Sequence, residues 1–272
     1  MILKKPAVLI TGAGTGIGAT TARLFSQMGH SVVLTGRRRE LLVEVSNSLQ
    51  SPSYVLPADL QDSKQVEKLA QDATVQVDKD NTHIGILVNN AGIFEQETFL
   101  KSGDDLWQKQ FETNLMGPVR LMRLLLPDMI KRKNGVIVNV ASTAGLRPLA
   151  GMTAYGTIKA GLISLTQSLA LEFASSGIRV NCVCPGIVET PILKLEAMDD
   201  GQKEKMRKIW DSMHPLGRSG KPRDVSQAIY NLSCDDANWM TGVVLPVDGG
   251  ISLKCLHSDP RNQKNSWGSL EV

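Results

Sequence analysis

Residues 7 to 28 read AVLITGAGTGIGATTARLFSQM, and the reading of this stretch decides the fold. Ala7-Val-Leu-Ile10 is a short apolar run, Thr11 to Gly18 is a glycine-rich turn, and residues 19–28 place apolar side chains at helical spacing. The order is therefore strand, glycine turn, helix. Glycines let the backbone approach a phosphate closely, and the helix N-terminus offers free N–H groups at the positive end of its dipole. A glycine-rich turn alone is a weak signal; one set between a strand and a helix is much stronger.

The same alternation continues outward. Apolar runs at 31–36, 53–57, 84–88, 136–140, 178–184 and 243–247 read as further strands, the sixth broken by Pro185-Gly186. Helical patterns occupy 39–49, 64–77, 104–132, 153–175 and 221–231, with a kink expected near Gly117-Pro118. Alternation of this kind predicts an α/β fold: a doubly wound, Rossmann-type, seven-stranded parallel sheet with helices on both faces. Residues 1–253 read as one domain without repeats or linkers, and 254–272 as a polar C-terminal tail lacking any period. Residues 196–213, charged and Met-rich with weak boundaries, suit a mobile flap over a substrate.

Composition narrows the function classes. An apolar content of 42% in 272 residues is that of a soluble globular chain. A net charge of +3 is too small and dispersed to argue for nucleic acid. The basic cluster at 131–133 reads as a helix C-terminus. No run reaches membrane-spanning length and no signal peptide is visible, so the protein reads as cytoplasmic. The four cysteines, at 182, 184, 234 and 255, lack metal spacing and read as reduced thiols. Cys182 and Cys184 are expected on opposite faces of their strand, as poor partners for each other.

Chemistry enters with Ser142 and the pentad Tyr155-Gly-Thr-Ile-Lys159. A tyrosine and a lysine four apart on a helix share one face. A free tyrosine titrates near ~10, too high to act at neutral pH, and an adjacent ammonium favours the phenolate. Ser142 follows the fifth strand, at the carboxyl edge where open α/β sheets hold ligands. Hydroxyl, phenol and cation together suit moving a proton on or off an alcohol or carbonyl oxygen. Alone, the Tyr and Lys pair is commonplace in helices.

Elsewhere, strand two ends in Gly36 and Arg37-Arg38-Arg39, where a cofactor with a free ribose 2′-hydroxyl usually meets an acid. Arginines there suit a 2′-phosphate through forked, charge-assisted hydrogen bonds; the plainer reading is an exposed helix start, with Glu40 taking the acid's role. Asp59, past strand three, suits an adenine amino group or, with Asp62 and Ser63, a helix cap. Asn89 and Asn90 suit side-chain ties between loops, and the small Ala91-Gly92 leaves ligand room. Asn114, inside a long helix, needs its amide satisfied, often by water. It is either structural or the holder of a water in a proton path.

Together, Thr11-Gly-x-x-x-Gly16-x-Gly18, Asp59, Asn89-Asn-Ala-Gly92, Asn114, Ser142, Tyr155-x-x-x-Lys159 and Pro185-Gly186 resemble the short-chain dehydrogenase/reductase family, over residues 5–252. The resemblance implies NAD(P)-dependent hydride transfer between the nicotinamide and a carbonyl or secondary alcohol. Tyr155 would be the general acid in reduction. Lys159 would hold the nicotinamide ribose and lower the tyrosine pKa. Ser142 would bind the substrate oxygen, and Asn114 would keep the relay water. Gly12, Thr15, Gly16, Ile17 and Gly18 would form the diphosphate loop, Arg37 and Arg38 the 2′-phosphate site, and Asp59 and Leu60 the adenine side. Asn89, Ala91 and Gly92 would wall the inner ribose, and Pro185, Gly186, Ile187 and Thr190 the nicotinamide.

NADP(H) is the expected cofactor and NAD(H) the alternative, because Thr15 stands where NADP-preferring members often carry a basic residue. No metal is expected. The resemblance further implies a homo-oligomer, dimer or tetramer, built on the two long helices. Leu146, Leu149, Met152, Ile192 and Leu193 suggest an apolar substrate wall, compatible with a 3-oxoacyl thioester among other carbonyl compounds. Two alternatives stand beside this: a catalytically silent NAD(P)-binding regulator or scaffold on the same fold, and an epimerase or dehydratase using a bound NAD.

Overall fold

A computed structural model of the chain describes residues 5–193 and 195–254. Seven parallel strands form one sheet: β1 (Ala7–Thr11), β2 (Val32–Thr35), β3 (Ser53–Val55), β4 (Ile84–Asn89), β5 (Gly135–Val140), β6 (Ile178–Pro185) and β7 (Val244–Val247). Their order is β3-β2-β1-β4-β5-β6-β7. The chain reverses its direction of winding between β1 and β4, and the crevice opens there at the carboxyl ends of the strands.

The core lies on both faces of the sheet, as alternation along each strand dictates. On β1, Ala7 and Leu9 pack with residues of α3 (Ser63–Lys79) and α5 (Gly117–Arg132). Val8 and Ile10 pack the other way, with α1 (Gly16–Gln27), α2 (Arg39–Asn47) and α8 (Pro222–Ser233). β1 is buried along its whole length, as a central parallel strand must be. Asp62 caps α3 by accepting from the N–H groups of Lys64 and Gln65. Lys131 and Arg132 lie in the last turn of α5, matching the negative end of its dipole.

Three expectations change. The long helix at 104–132 is interrupted: α4 (Asp104–Phe111) passes through a π-helical turn, Glu112–Met116, into α5. The irregularity precedes Gly117, and the wide turn carries Asn114. The sixth strand runs on through Pro185 rather than breaking before it, pairing Pro185 with Val247 of the edge strand β7. The ladder hydrogen bond at this point comes from the next residue, the Gly186 N–H donating to the Val247 carbonyl at 3.2 Å. The flap stretch holds a defined helix, α7 (Asp200–Met213), whose start is set by a capping box between Asp199 and Gln202. Trp210 is its buried residue, and Asp211 ties it down by accepting from the Ser219 N–H at 2.7 Å and hydroxyl at 2.9 Å. Of the tail, residues 255–272 lie outside the described residues.

Candidate active site

The glycine turn sits between two loops that leave no room for side chains. Gly12 has a φ of +65°, and a Cβ there would lie 2.8 Å from the Ala91 Cα. Gly16 has a φ of +54°, with the methyl of Thr190 about as close to its missing Cβ. Both features require glycine. Asn90 and Thr11 sew the turn to the end of β4. The Asn90 side chain donates to the Thr11 carbonyl at 2.8 Å, and the Thr11 hydroxyl accepts from the N–H groups of Asn90 and Ala91.

Gly12, Thr15, Gly16 and Ile17 line the cleft beside the start of α1, whose first N–H groups have no side-chain cap. Gly18 is a correction. It lies behind the turn, where a Cβ would come within 2.2 Å of the Gly12 carbonyl oxygen. Its role is to let α1 pack against the turn.

Past β2, Gly36, Arg37 and Arg38 line the same cleft, and both arginines are exposed. Arg39 begins α2, with Glu40 in its first turn. The helix start and the cleft wall are thus adjacent parts of one segment. Asp59 and Leu60 line the cleft from the end of β3. The Asp59 carboxylate accepts from the Gln61 N–H at 3.0 Å, so the helix cap belongs to Asp62 instead.

Ala91 and Gly92 line the cleft, but Asn89 does not. Its side chain is buried in the sheet, where it donates to Asn139 at 2.9 Å, and Asn139 donates in turn to the Thr166 hydroxyl at 2.9 Å. The cleft is lined at this point by Asn90, Ala91 and Gly92. Strand alternation explains the exchange, since adjacent residues point to opposite sides.

Tyr155 and Lys159 lie one turn apart near the start of α6 (Thr153–Phe173), with Ser142 just past β5. All three line the cleft, together with Pro185, Gly186, Ile187 and Thr190 from the end of β6. The Lys159 ammonium is 5.7 Å from the Tyr155 ring centroid and donates to the Val140 carbonyl at 2.8 Å. Ser142 accepts from the Ala144 N–H at 3.1 Å, which holds its hydroxyl at the sheet edge.

The electrostatics overturn one expectation. Burial pushes the Tyr155 phenol up to about 12, with the Ser142 hydroxyl acting in the opposite sense. Burial also pushes the Lys159 ammonium down to about 8, while the sulfurs of Cys182 and Cys184 oppose the change. Desolvation outweighs the opposing hydrogen bond from Ser142. In this arrangement Tyr155 is a protonated donor at neutral pH.

Those sulfurs correct a second expectation. Residues two apart on a strand share a face, and the Sγ atoms of Cys182 and Cys184 lie 3.9 Å apart. They pack with Leu162 and Ile163, one turn past Lys159 on the same face of α6. Both are free thiols, as is Cys234.

Asn114 does not line the cleft. Its amide is satisfied by protein backbone, accepting from the Ile93 N–H at 2.9 Å and donating to the Ile93 carbonyl at 3.0 Å. Its side chain thus fixes the loop after Gly92.

At the substrate end Leu149, Met152, Ile192 and Leu193 line the cleft as expected, and Leu146 does not. Arg147 donates to the Lys254 carbonyl at 3.3 Å. Phe94, in a loop (93–102) expected to line the pocket but given no role of its own, lines the cleft and packs on Tyr155. A lone aromatic in a loop carries no periodic signal that would single it out. Among the described residues no cluster of His, Cys, Asp or Glu suits a metal.

The comparisons with known proteins support one family. A family model described as Enoyl-(Acyl carrier protein) reductase matches residues 12–252. The chain is 35% identical over 256 residues to a 3-oxoacyl-(acyl-carrier-protein) reductase FabG of Thermotoga maritima, an alignment covering 93% of this chain and 100% of that one. A solved structure described as a short chain dehydrogenase/reductase family protein superposes with a TM-score of 0.79 at 33% identity, covering 93% of this chain and all of that one. Another, described as ElxO with NADP bound, gives a TM-score of 0.82 at 33% identity, covering 92% and 100%.

Proposed function

The chain belongs to the short-chain dehydrogenase/reductase family, and from that premise we propose that it reduces a carbonyl compound of the 3-oxoacyl thioester type with NADPH. It is an NAD(P)-dependent oxidoreductase acting between C=O and CH–OH groups. The observation that carries the proposal is the convergence of Tyr155, Lys159 and Ser142 in the same cleft as the glycine turn and Arg37.

The residues present fit a dinucleotide. The bare backbone at Gly12 and Gly16 forms a cradle that Cβ atoms would fill, and the uncapped N-terminus of α1 supplies donors for a diphosphate. Arg37 and Arg38 would hold a 2′-phosphate, supported by the absence of an acid from the end of β2. The ElxO relative has NADP bound. The bound nicotinamide would supply the hydride.

The protein's own task is the proton and the geometry. Tyr155, held protonated by burial, gives its phenolic proton to the substrate oxygen as that oxygen gains charge. Ser142 donates a hydrogen bond to the same oxygen. Lys159, pushed down to about 8 by burial, stabilises the resulting phenolate and would hold the nicotinamide ribose hydroxyls. Leu149, Met152, Ile192 and Leu193 give the cleft an apolar wall against which a substrate would pack. Asn114 positions the loop that carries Gly92 to Phe94.

The proposal also includes one domain over residues 1–253, a cytoplasmic location and a homo-oligomer of dimer or tetramer form. Three free cysteines among the described residues support a reducing compartment, and no helix there is long and apolar enough to cross a membrane. A groove between α4 and α6, lined by Trp107, Phe111, Leu115 and Ile158, supports pairing of copies.

Initial-rate oxidation of NADPH over a panel of 3-oxoacyl thioesters, ketosteroids, diketones, quinones and keto-sugars tests the function, with NADH in parallel. Turnover of a 3-oxoacyl thioester with NADPH is expected. Binding of both cofactors without turnover of any member would overturn it in favour of a regulatory role.

A further inference from the structure

Phe94 occupies a position that neither the glycine turn nor the proton-handling residues account for. Its ring meets the ring of Tyr155 edge to face, with centroids 5.0 Å apart and planes at 72°. Both rings line the cleft. Edge-to-face pairs of this kind have a preferred orientation and resist sliding.

The loop that carries Phe94 is tied on every side. Ile93, immediately before it, exchanges two hydrogen bonds with Asn114. Glu95, immediately after it, accepts at its carbonyl from the Gln110 side chain at 3.2 Å, and its carboxylate pairs with Lys109. Farther on, the Glu97 N–H donates to the Gly151 carbonyl at 3.1 Å, joining this loop to the one that leads into α6. A ring anchored at both neighbouring residues is a fixed surface.

We propose that Phe94 is a positioning residue for the reaction: locked edge to face against Tyr155, it aims the phenol and keeps water from its cleft side. The inference rests on the proposed carbonyl reduction. The ring adds to the desolvation that holds the phenol protonated. The groups facing Tyr155 are the Ser142 hydroxyl, which favours the phenolate, and the Lys159 ammonium at 5.7 Å from its centroid. From the loop side Phe94 is uncharged, and the nearby Glu95 carboxylate is engaged by Lys109. The other titratable residues lining the cleft, Arg37, Arg38 and Asp59, follow β2 and β3 on the far side of β1.

The test compares Phe94→Ala, Phe94→Leu and Phe94→Tyr with the parent protein, each also made with Tyr155→Phe. The chain has three tyrosines, so the difference in phenolate absorbance between each protein and its Tyr155→Phe counterpart isolates the ionisation of Tyr155 without any substrate. Phe94→Ala is expected to lower that ionisation by about one pH unit or more. It is also expected to reduce kcat roughly 10- to 100-fold while the KM for NADPH stays near the parent value. Phe94→Tyr, which keeps the ring, is expected to restore both, with Phe94→Leu between.

An unchanged Tyr155 ionisation in Phe94→Ala, or equal losses in Phe94→Ala and Phe94→Tyr, overturns the inference. Should the parent protein turn over no carbonyl while the ionisation still moves, the reduction itself fails and the coupling of Phe94 to Tyr155 stands. Parent turnover with a normal Phe94→Ala overturns the role of Phe94 alone.

Discussion

Asn114 and Ile93 exchange two hydrogen bonds, one in each direction, across the gap between the π turn and the loop after β4. A side-chain amide here serves as a surrogate strand partner for one residue of backbone. The widened turn allows it, because a π segment shifts a helical side chain out of its usual row. Replacing Asn114 by Leu is expected to lower stability by about 1–3 kcal/mol, since the Ile93 N–H and C=O lose their partners. Asn114→Asp, which loses the donor and sets a buried carboxylate against the Ile93 carbonyl, should lose at least as much. Urea midpoints of the three proteins decide the matter, and equal midpoints would refute the structural role.

Tyr155→Phe removes only the hydroxyl at the end of the cleft. Turnover is expected to fall by about 10²–10⁴-fold, the usual contribution of a positioned acid. The dissociation constant for NADPH should stay close to that of the parent, and titration of cofactor fluorescence measures it. Substantial residual turnover would assign the proton to another group.

Lys159 makes stability depend on pH in an unusual sense. Its folded pKa, about 8, lies below the ordinary 10.5, so between these values the unfolded chain binds more protons than the folded one. Stability therefore rises with pH over that window and falls as pH drops through 8. The full effect is on the order of 3 kcal/mol. Relative to Lys159→Met, the parent protein should gain stability from pH 7.5 to about 10. Tyr155, raised to about 12 from 10, acts oppositely above pH 10. A constant difference between parent and Lys159→Met across this range would contradict the assignment.

Arg37→Ala should raise the KM for NADPH roughly tenfold while leaving that for NADH within about twofold, as expected for loss of one charge-assisted hydrogen bond. Steady-state kinetics with both cofactors supply the ratio. Parallel losses for the two would remove Arg37 from the 2′-phosphate site.

Gly18→Ala introduces a methyl 2.2 Å from the Gly12 carbonyl oxygen. The rigid partner is backbone, so the turn and α1 must separate. Stability should fall by about 1–3 kcal/mol, with weaker cofactor binding, and thermal unfolding with and without NADPH tests both.

Periodicity and glycine placement carried the reading a long way. The seven strands, their alternation with helices and the parallel sheet were legible because each follows from local pattern. Tyr155, Lys159 and Ser142 were legible because a one-turn spacing and a strand end fix their neighbourhood. The inward turn of the Asn89 side chain was not legible for a physical reason: in an adjacent asparagine pair, alternation decides which side chain turns inward, and that depends on where the strand ends. The faces of Cys182 and Cys184 were misread, although strand geometry alone gives the correct answer.

By itself, then, the amino-acid sequence determined the fold class, the crevice at the carboxyl edge and the grouping of Ser142, Tyr155 and Lys159 in it. These depend on contacts within one element or between one element and the next. The tertiary structure alone decided the balance of charge at Tyr155 and Lys159, the partner of Asn114 and the seat of Phe94 on the tyrosine ring. Each of these depends on how much water is excluded by residues far away in the chain, and burial is a property of the assembled fold.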